Sequence, residues 1–131
     1  CQVILPRLKT DLVKILLSVI KNNLNKIQIK WKKEKCMTIV ICSKGYPGNY
    51  KRNVLIKNLS SIRLDKKSFV YHAGTKIENN LLLSNGGRVL NFSSLGKSFF
   101  DVRKKILKLI DKLNWKRGFF RKDIGWRIIS K

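Results

Sequence analysis

Acidic side chains are scarce in this chain: 7 Asp and Glu stand against 30 Lys and Arg, a formal charge of +23 over 131 residues. There is a single histidine, His72, and the nearest acids in sequence, Asp65 and Glu78, stand at no spacing that commits them to it. A metal ligand or general base needs such partners, so neither a zinc site nor a nucleophilic triad is supported. The three cysteines, Cys1, Cys36 and Cys42, contain no CxxC pair. On one strand Cys36 and Cys42 would lie about 20 Å apart at ~3.3 Å per residue, beyond disulfide reach, so reduced thiols in a cytoplasmic protein are expected. Neither G-x-x-x-x-G-K-S/T nor G-x-G-x-x-G occurs, which removes the two commonest phosphate-loop signatures. Long apolar runs are missing too: Leu12 to Ile20 is broken by Lys14 and Ser18 and falls short of the ~20 residues a membrane span needs. The start at Cys1, without Met or leader, reads as a cut inside a longer protein.

What is abundant is lysine, 22 of the 30 basic residues, together with 15 Ile and 11 Asn. A field of this sign attracts phosphates and nucleic acid, with an affinity that falls as salt rises. The same composition follows from A/T-rich coding, and the lysines are spread along the chain. A solvated, compositionally biased surface and a polyanion-binding face both stay open.

Length points to one domain, able to bury roughly two-thirds of its unfolded surface. Along the chain, Thr10 is the expected N-cap of a helix over Leu12 to Asn22-Asn23, whose Leu12, Ile15, Leu16, Val19 and Ile20 recur at helical spacing and predict one buried face. Ile27, Ile29 and Trp31 alternate with polar residues as in a half-buried strand. Cys36 to Cys42, apolar on both faces, predicts a central strand. The segment Ser43 to Tyr50, with Gly45, Pro47 and Gly48, is a structured loop. Further strands are expected at Val54 to Ile56, Phe69 to His72 and Val89 to Phe92, with a tight turn at Asn79-Asn80. Ser98 and Asp101 form an imperfect capping box before a helix whose stripe is Phe99, Val102, Ile106, Leu109, Ile110 and Leu113. The tail from Phe119 to Arg127 predicts a strand or loop closing over the sheet.

Chemistry is concentrated between His72 and Leu90. Two glycine-bearing turns, His72-Ala73-Gly74-Thr75 and Gly86-Gly87-Arg88, each place a functional side chain beside backbone that a ligand can approach closely. Gly86-Gly87-Arg88 offers exposed N–H groups and a guanidinium for a phosphate or carboxylate, but a turn followed by a surface arginine reads the same way. Lys44 in its glycine- and proline-bearing loop has the same two readings. A lone histidine is commonly a structural hydrogen-bonding residue.

Taken in order, Ser43-Lys44-Gly45-Tyr46-Pro47-Gly48, His72-Ala73-Gly74-Thr75, Gly86-Gly87-Arg88-Val89-Leu90 and Arg121-Lys122-Asp123-Ile124-Gly125 resemble the C-terminal domain of the phosphoribosylamine-glycine ligases, members of the ATP-grasp superfamily. The stretch from Cys1-Gln2 through Leu5-Pro6-Arg7-Leu8-Lys9-Thr10-Asp11-Leu12 resembles the passage out of that enzyme's core. The resemblance implies an α+β fold, a mainly antiparallel β-sheet or half-barrel with two packed helices. Residues 1–24 would be the tail end of the ATP-grasp core with a connecting helix, and 25–131 the C-terminal domain. It implies a ligase of purine biosynthesis joining glycine to 5-phosphoribosylamine with ATP and Mg (or Mn). The metal ligands would lie just upstream of Cys1 in the neighbouring ATP-grasp domains, so this piece alone would bind no cofactor and be inactive. Within it, Lys44, Gly45, Tyr46, His72, Gly74, Thr75, Gly86, Gly87 and Arg88 are the expected wall of the substrate site. Asn91 stands where a glycine is usual, Phe120 where tyrosine is common, Lys122 where arginine is usual, and Lys51-Arg52-Asn53 in place of a more acidic segment. The competing readings are a small basic nucleic-acid-binding module and an inactive gene remnant.

Overall fold

A computed structural model describes residues 1–129. Its centre is the antiparallel pair of β1 (Lys35–Ser43) and β6 (Arg88–Gly96). These two strands are flanked by β3 (Ser68–His72) on one side and β7 (Gly118–Phe119) on the other, in the order β3-β6-β1-β7. A second, three-stranded sheet is built from β2 (Val54–Leu55), β5 (Leu81–Ser84) and β4 (Thr75–Glu78). The expected α+β class with antiparallel sheets is what the chain adopts.

Strand alternation assigns the faces. Ile39 pairs with Phe92, which pairs with Val70, and Ile41 pairs with Leu90, which pairs with His72. Ile39, Phe92 and Leu90 are at most 1% exposed and form the core face. Against it lies α3 (Phe99–Ile110), burying Val102, Ile106, Leu109 and Ile110. Its start is fixed as the sequence predicts: Ser98 Oγ accepts from the Asp101 backbone N–H at 3.1 Å and donates to the Asp101 carboxylate at 2.6 Å. The opposite face carries the row Val40, Asn91 and Tyr71 and the row Thr38, Ser93 and Phe69.

Asn79 and Asn80 both take left-handed φ, +49° and +60°, and close the β4–β5 hairpin. The tail closes over the sheet through β7 and ends in α4 (Trp126–Ile129), a turn of helix the sequence pattern did not predict. Arg103 of α3 fastens this tail, donating to the carbonyls of Lys122 and Ile124.

Three local expectations are corrected. The segment 27–31 is not a strand of either sheet: a 3-10 turn at Leu24–Lys26 precedes it, and only an isolated bridge joins Trp31 to Leu8. Its hydrogen bonds go to the N-terminal segment, from Lys9 N to Lys30 O and from Lys32 N to Arg7 O, which spends the ladder on one short pairing. Thr10 is not the helix cap, because its hydroxyl is engaged by Lys30 N at 2.7 Å. Asp11 caps instead, its carboxylate accepting from Lys14 N at 3.0 Å. Finally α2 (Leu12–Ile20), reached after the short α1 (Ile4–Arg7), buries no residue, and its predicted buried face is left largely uncovered by the described residues.

Candidate functional site: a polar cleft at the β1–β6 bulge

Ser43, at the end of β1 and 2% exposed, ties two of the motif loops together. Its N–H donates to Gly87 O at 2.7 Å, its hydroxyl to Gly86 O at 2.8 Å, and its carbonyl accepts from Tyr46 N at 3.0 Å. The third loop joins through Ala73 N to Val89 O at 3.0 Å and Gly74 N to Arg88 O at 2.9 Å.

Two glycines make this crossing feasible. A Cβ on Gly74 would stand 2.7 Å from both Arg88 O and Gly86 Cα, and one on Gly87 would stand 2.0 Å from the Tyr46 ring. Backbone runs over backbone at the first, and an aromatic ring lies on bare backbone at the second.

The ladder between β1 and β6 slips here. Leu90 pairs with Ile41, but the next β1 residue, Cys42, pairs with Arg88, leaving Val89 as the extra residue of a bulge. Strict alternation would put Arg88 and Asn91 on opposite faces. The bulge reverses that, placing Arg88 opposite Cys42 on the face that also carries Val40 and Asn91. There Arg88 lines a cleft of about 510 Å³ with Gln2, Val40, Tyr46, Ala73, Gly87 and Asn91. The arginine's charge also reaches Cys42, whose thiol burial pushes above its usual range while Arg88 acts against that shift.

Of the residues anticipated from sequence, Tyr46, Gly87 and Arg88 line this cleft, and Gly74 and Gly86 form the backbone crossing beneath it. Gly45 shapes the loop that carries Tyr46: its φ is +101°, and a Cβ there would meet Asn49 O at 2.0 Å. Lys44 is exposed, its backbone N–H donating to Arg117 O at 2.7 Å, and is not among the cleft's lining residues. His72 turns the other way. It lies on the core face, bonds the Thr75 hydroxyl at 3.0 Å, and lines a separate apolar cleft of about 720 Å³ with Leu55, Leu59, Val70, Ile77 and Leu82.

Gln2 and Asn91 are additions that motif spacing did not reveal, since the first arrives from the chain's start and the second from a strand position that pattern alone assigns to packing. Among the described residues no group of three or more His, Cys, Asp or Glu is placed to hold a metal ion. Asp65 and Asp123 are instead engaged by Lys105 and Arg121, both at 2.6 Å, which hold their carboxyls below the usual range. The residues present therefore do not fit a magnesium-nucleotide site. No helix of the described residues is long and apolar enough to cross a membrane.

Residues 36–127 match the family described as phosphoribosylglycinamide synthetase, C domain. The chain belongs to that family. It is 39% identical over 131 residues to the phosphoribosylamine-glycine ligase of Agrobacterium fabrum, covering 100% of this chain and 30% of that protein. It is likewise 39% identical over 133 residues to the chloroplastic enzyme of Arabidopsis thaliana, covering 100% of this chain and 25% of that one. A crystal structure of the Thermotoga maritima ligase superposes with a TM-score of 0.62 at 20% identity, over 82% of this chain and 27% of that one, and so shares the fold. The chain thus spans about a third or less of the length of the relatives it matches. The synthetase C domain places all four motif loops within the matched span, with Gln2 outside it.

Proposed function

We propose that this chain is the C-terminal wall of a phosphoribosylamine-glycine ligase, acting in purine biosynthesis in the cytoplasm. In this reading ATP activates the glycine carboxylate for attack by the amine of 5-phosphoribosylamine. The ATP and Mg (or Mn) sites lie in ATP-grasp domains upstream, and the chain on its own is inactive. The observation that carries the proposal is the bulge that brings Arg88 into a polar cleft with Tyr46 and Asn91. A guanidinium presents a fork of donors that stays charged at any working pH, suited to a phosphate or carboxylate. The cleft's part is to hold and orient one substrate, with Tyr46 closing its edge and Gly74, Gly86 and Gly87 keeping the backbone close. Lys44 stands outside this cleft's lining and His72, bonded to Thr75, faces the separate apolar cleft, so the substrate contact proposed here falls to Arg88 and Tyr46.

The remainder of the ligase also supplies a cover for α2. Leu12, Val13, Leu16, Leu17, Val19 and Ile20 are each at least 42% exposed, and the relatives carry more than twice this chain's length besides the matched part. Residues 1–24 pack with that upstream portion, and 25–131 form the C-terminal domain. The surplus of lysine gives the surface weak affinity for polyanions, lost by physiological salt.

The test is ADP release by the intact protein, which should require glycine and phosphoribosylamine together. Arg88→Ala should raise KM for phosphoribosylamine at least tenfold with a smaller change in kcat, the pattern of a lost binding contact. Unchanged kinetics for both substrates in Arg88→Ala would remove the cleft from the site.

A further inference from the structure

Among the described residues six polar side chains are buried: Ser43, Ser68, Ser84, Asn91, Ser93 and Ser94. All five serines have hydrogen-bond partners: Gly86 O for Ser43, Val54 N for Ser84, Thr38 Oγ1 for Ser93, Lys67 O for Ser94, and the Ser94 hydroxyl for Ser68. Asn91, 5% exposed, has no side-chain partner among the described residues, although its carboxamide carries two donors and an acceptor. The sealed polar atoms without a partner among the described residues are Arg7 Nε and Trp115 Nε1, whereas the Asn91 carboxamide opens to the cleft and is free to take a ligand there. Asn91 lies on the central strand, on the cleft face of the sheet, beside Gln2 and Tyr46.

Asn91 and Arg88 are three residues apart on β6, roughly 10 Å of strand at ~3.3 Å per residue. A ligand touching both must carry an anion at one end and groups that both donate and accept at the other. Glycine is too short. The hydroxyls of a phosphorylated pentose have that dual character, whereas a phosphate oxygen chiefly accepts.

We propose that Asn91 is a substrate-binding residue, its carboxamide hydrogen-bonding sugar hydroxyls of a pentose phosphate whose phosphate lies against Arg88. This rests on the cleft being the phosphoribosylamine site, as read above, and extends it to a second side chain of β6.

The experiment titrates the 131-residue chain calorimetrically with ribose 5-phosphate, a stable sugar phosphate, and with inorganic phosphate. Each titration is repeated on Asn91→Ala, on the near-isosteric Asn91→Asp, and on Arg88→Ala, with folding checked by thermal melts. Asn91→Ala should weaken ribose 5-phosphate about 3- to 10-fold, the loss of one or two neutral hydrogen bonds, and change inorganic phosphate less than about twofold. Asn91→Asp should weaken both, because its carboxylate competes for Arg88 and repels the anion; Arg88→Ala should weaken both as well. Wild-type affinity for ribose 5-phosphate in both Asn91 variants, with a loss in Arg88→Ala, overturns the role of Asn91 and leaves the cleft reading standing. An equal loss for both ligands in Asn91→Ala also overturns it, since the hydroxyls are then not what Asn91 contacts. If Arg88→Ala changes neither ligand, or the wild type binds neither, the cleft reading fails and this proposal with it.

Discussion

Two helices of this chain have apolar residues at similar spacing and opposite fates. In α3 the stripe is dehydrated, with Val102 and Ile106 at 0% exposure against the sheet. In α2 the corresponding residues stand in solvent, Val13 at 61% and Ile20 at 76%. Periodicity therefore reports that a helix has a face to bury, and says nothing about whether its partner is in the same 131 residues. The difference is also compositional: α3 carries Lys104, Lys105 and Lys108 outside its buried stripe, with Arg103 fastening the tail, whereas α2 has Lys14 as its one charged residue within the helix. A helix with apolar residues around most of its circumference is built to be covered on more than one side.

Substitutions that separate the two helices should span a wide range of effect. Ile106→Ala, which empties a site under the sheet, should cost about 2–5 kcal/mol in chemical denaturation. Gly87→Ala should cost about 1–3 kcal/mol, because the new methyl group must displace the Tyr46 ring, and should also weaken anion binding by disturbing the cleft edge. Asp65→Asn removes the Lys105 pair that links α3 to the turn before β3, at 2.6 Å but with both side chains substantially exposed. It should cost less than about 1 kcal/mol. Its pH dependence has a definite sign. Lys105 depresses the folded-state pKa of Asp65, so the contribution is complete above the ordinary aspartate value of about 3.9 and disappears as pH falls through the lower folded-state value. Wild type and Asp65→Asn should therefore converge in stability below that range. Leu16→Lys on α2 should change the stability of this chain by no more than about 0.5 kcal/mol, as at other exposed positions. In the intact protein the same change should be destabilising by about 2 kcal/mol or more, through the loss of a buried leucine and the burial of a charge.

What the sequence made legible follows the same division between local and distant causes. The central strand at Cys36 to Cys42, the Asn79-Asn80 turn and the Ser98 cap depend on residues within a few positions of each other, and all three are found. The Ile27 to Trp31 alternation is just as regular, yet its neighbour is a short N-terminal segment that offers one bridge, so no sheet strand forms. Thr10 has the right side chain for a cap, but a hydrogen bond from Lys30, twenty residues away, takes it. At the site, the glycine-rich loops were recognisable because close backbone approach demands glycine. The partnership of Arg88 with Asn91 was not, because the usual two-residue period puts them on opposite faces and only the register slip at Val89 reverses it. Equally, nothing local separates His72 from Arg88 as candidates; pairing with Leu90 is what turns His72 toward the apolar cleft.

That this chain is one part of a larger enzyme is tested most directly at α2, by hydrogen exchange of the amides over residues 16–20 in the 131-residue chain and in the intact protein. The account predicts fast exchange in the isolated chain, with α3 protected, and at least a hundredfold slowing in α2 once the upstream portion is present. Equal exchange of α2 in both would contradict it, leaving an apolar helix that the rest of the protein does not cover.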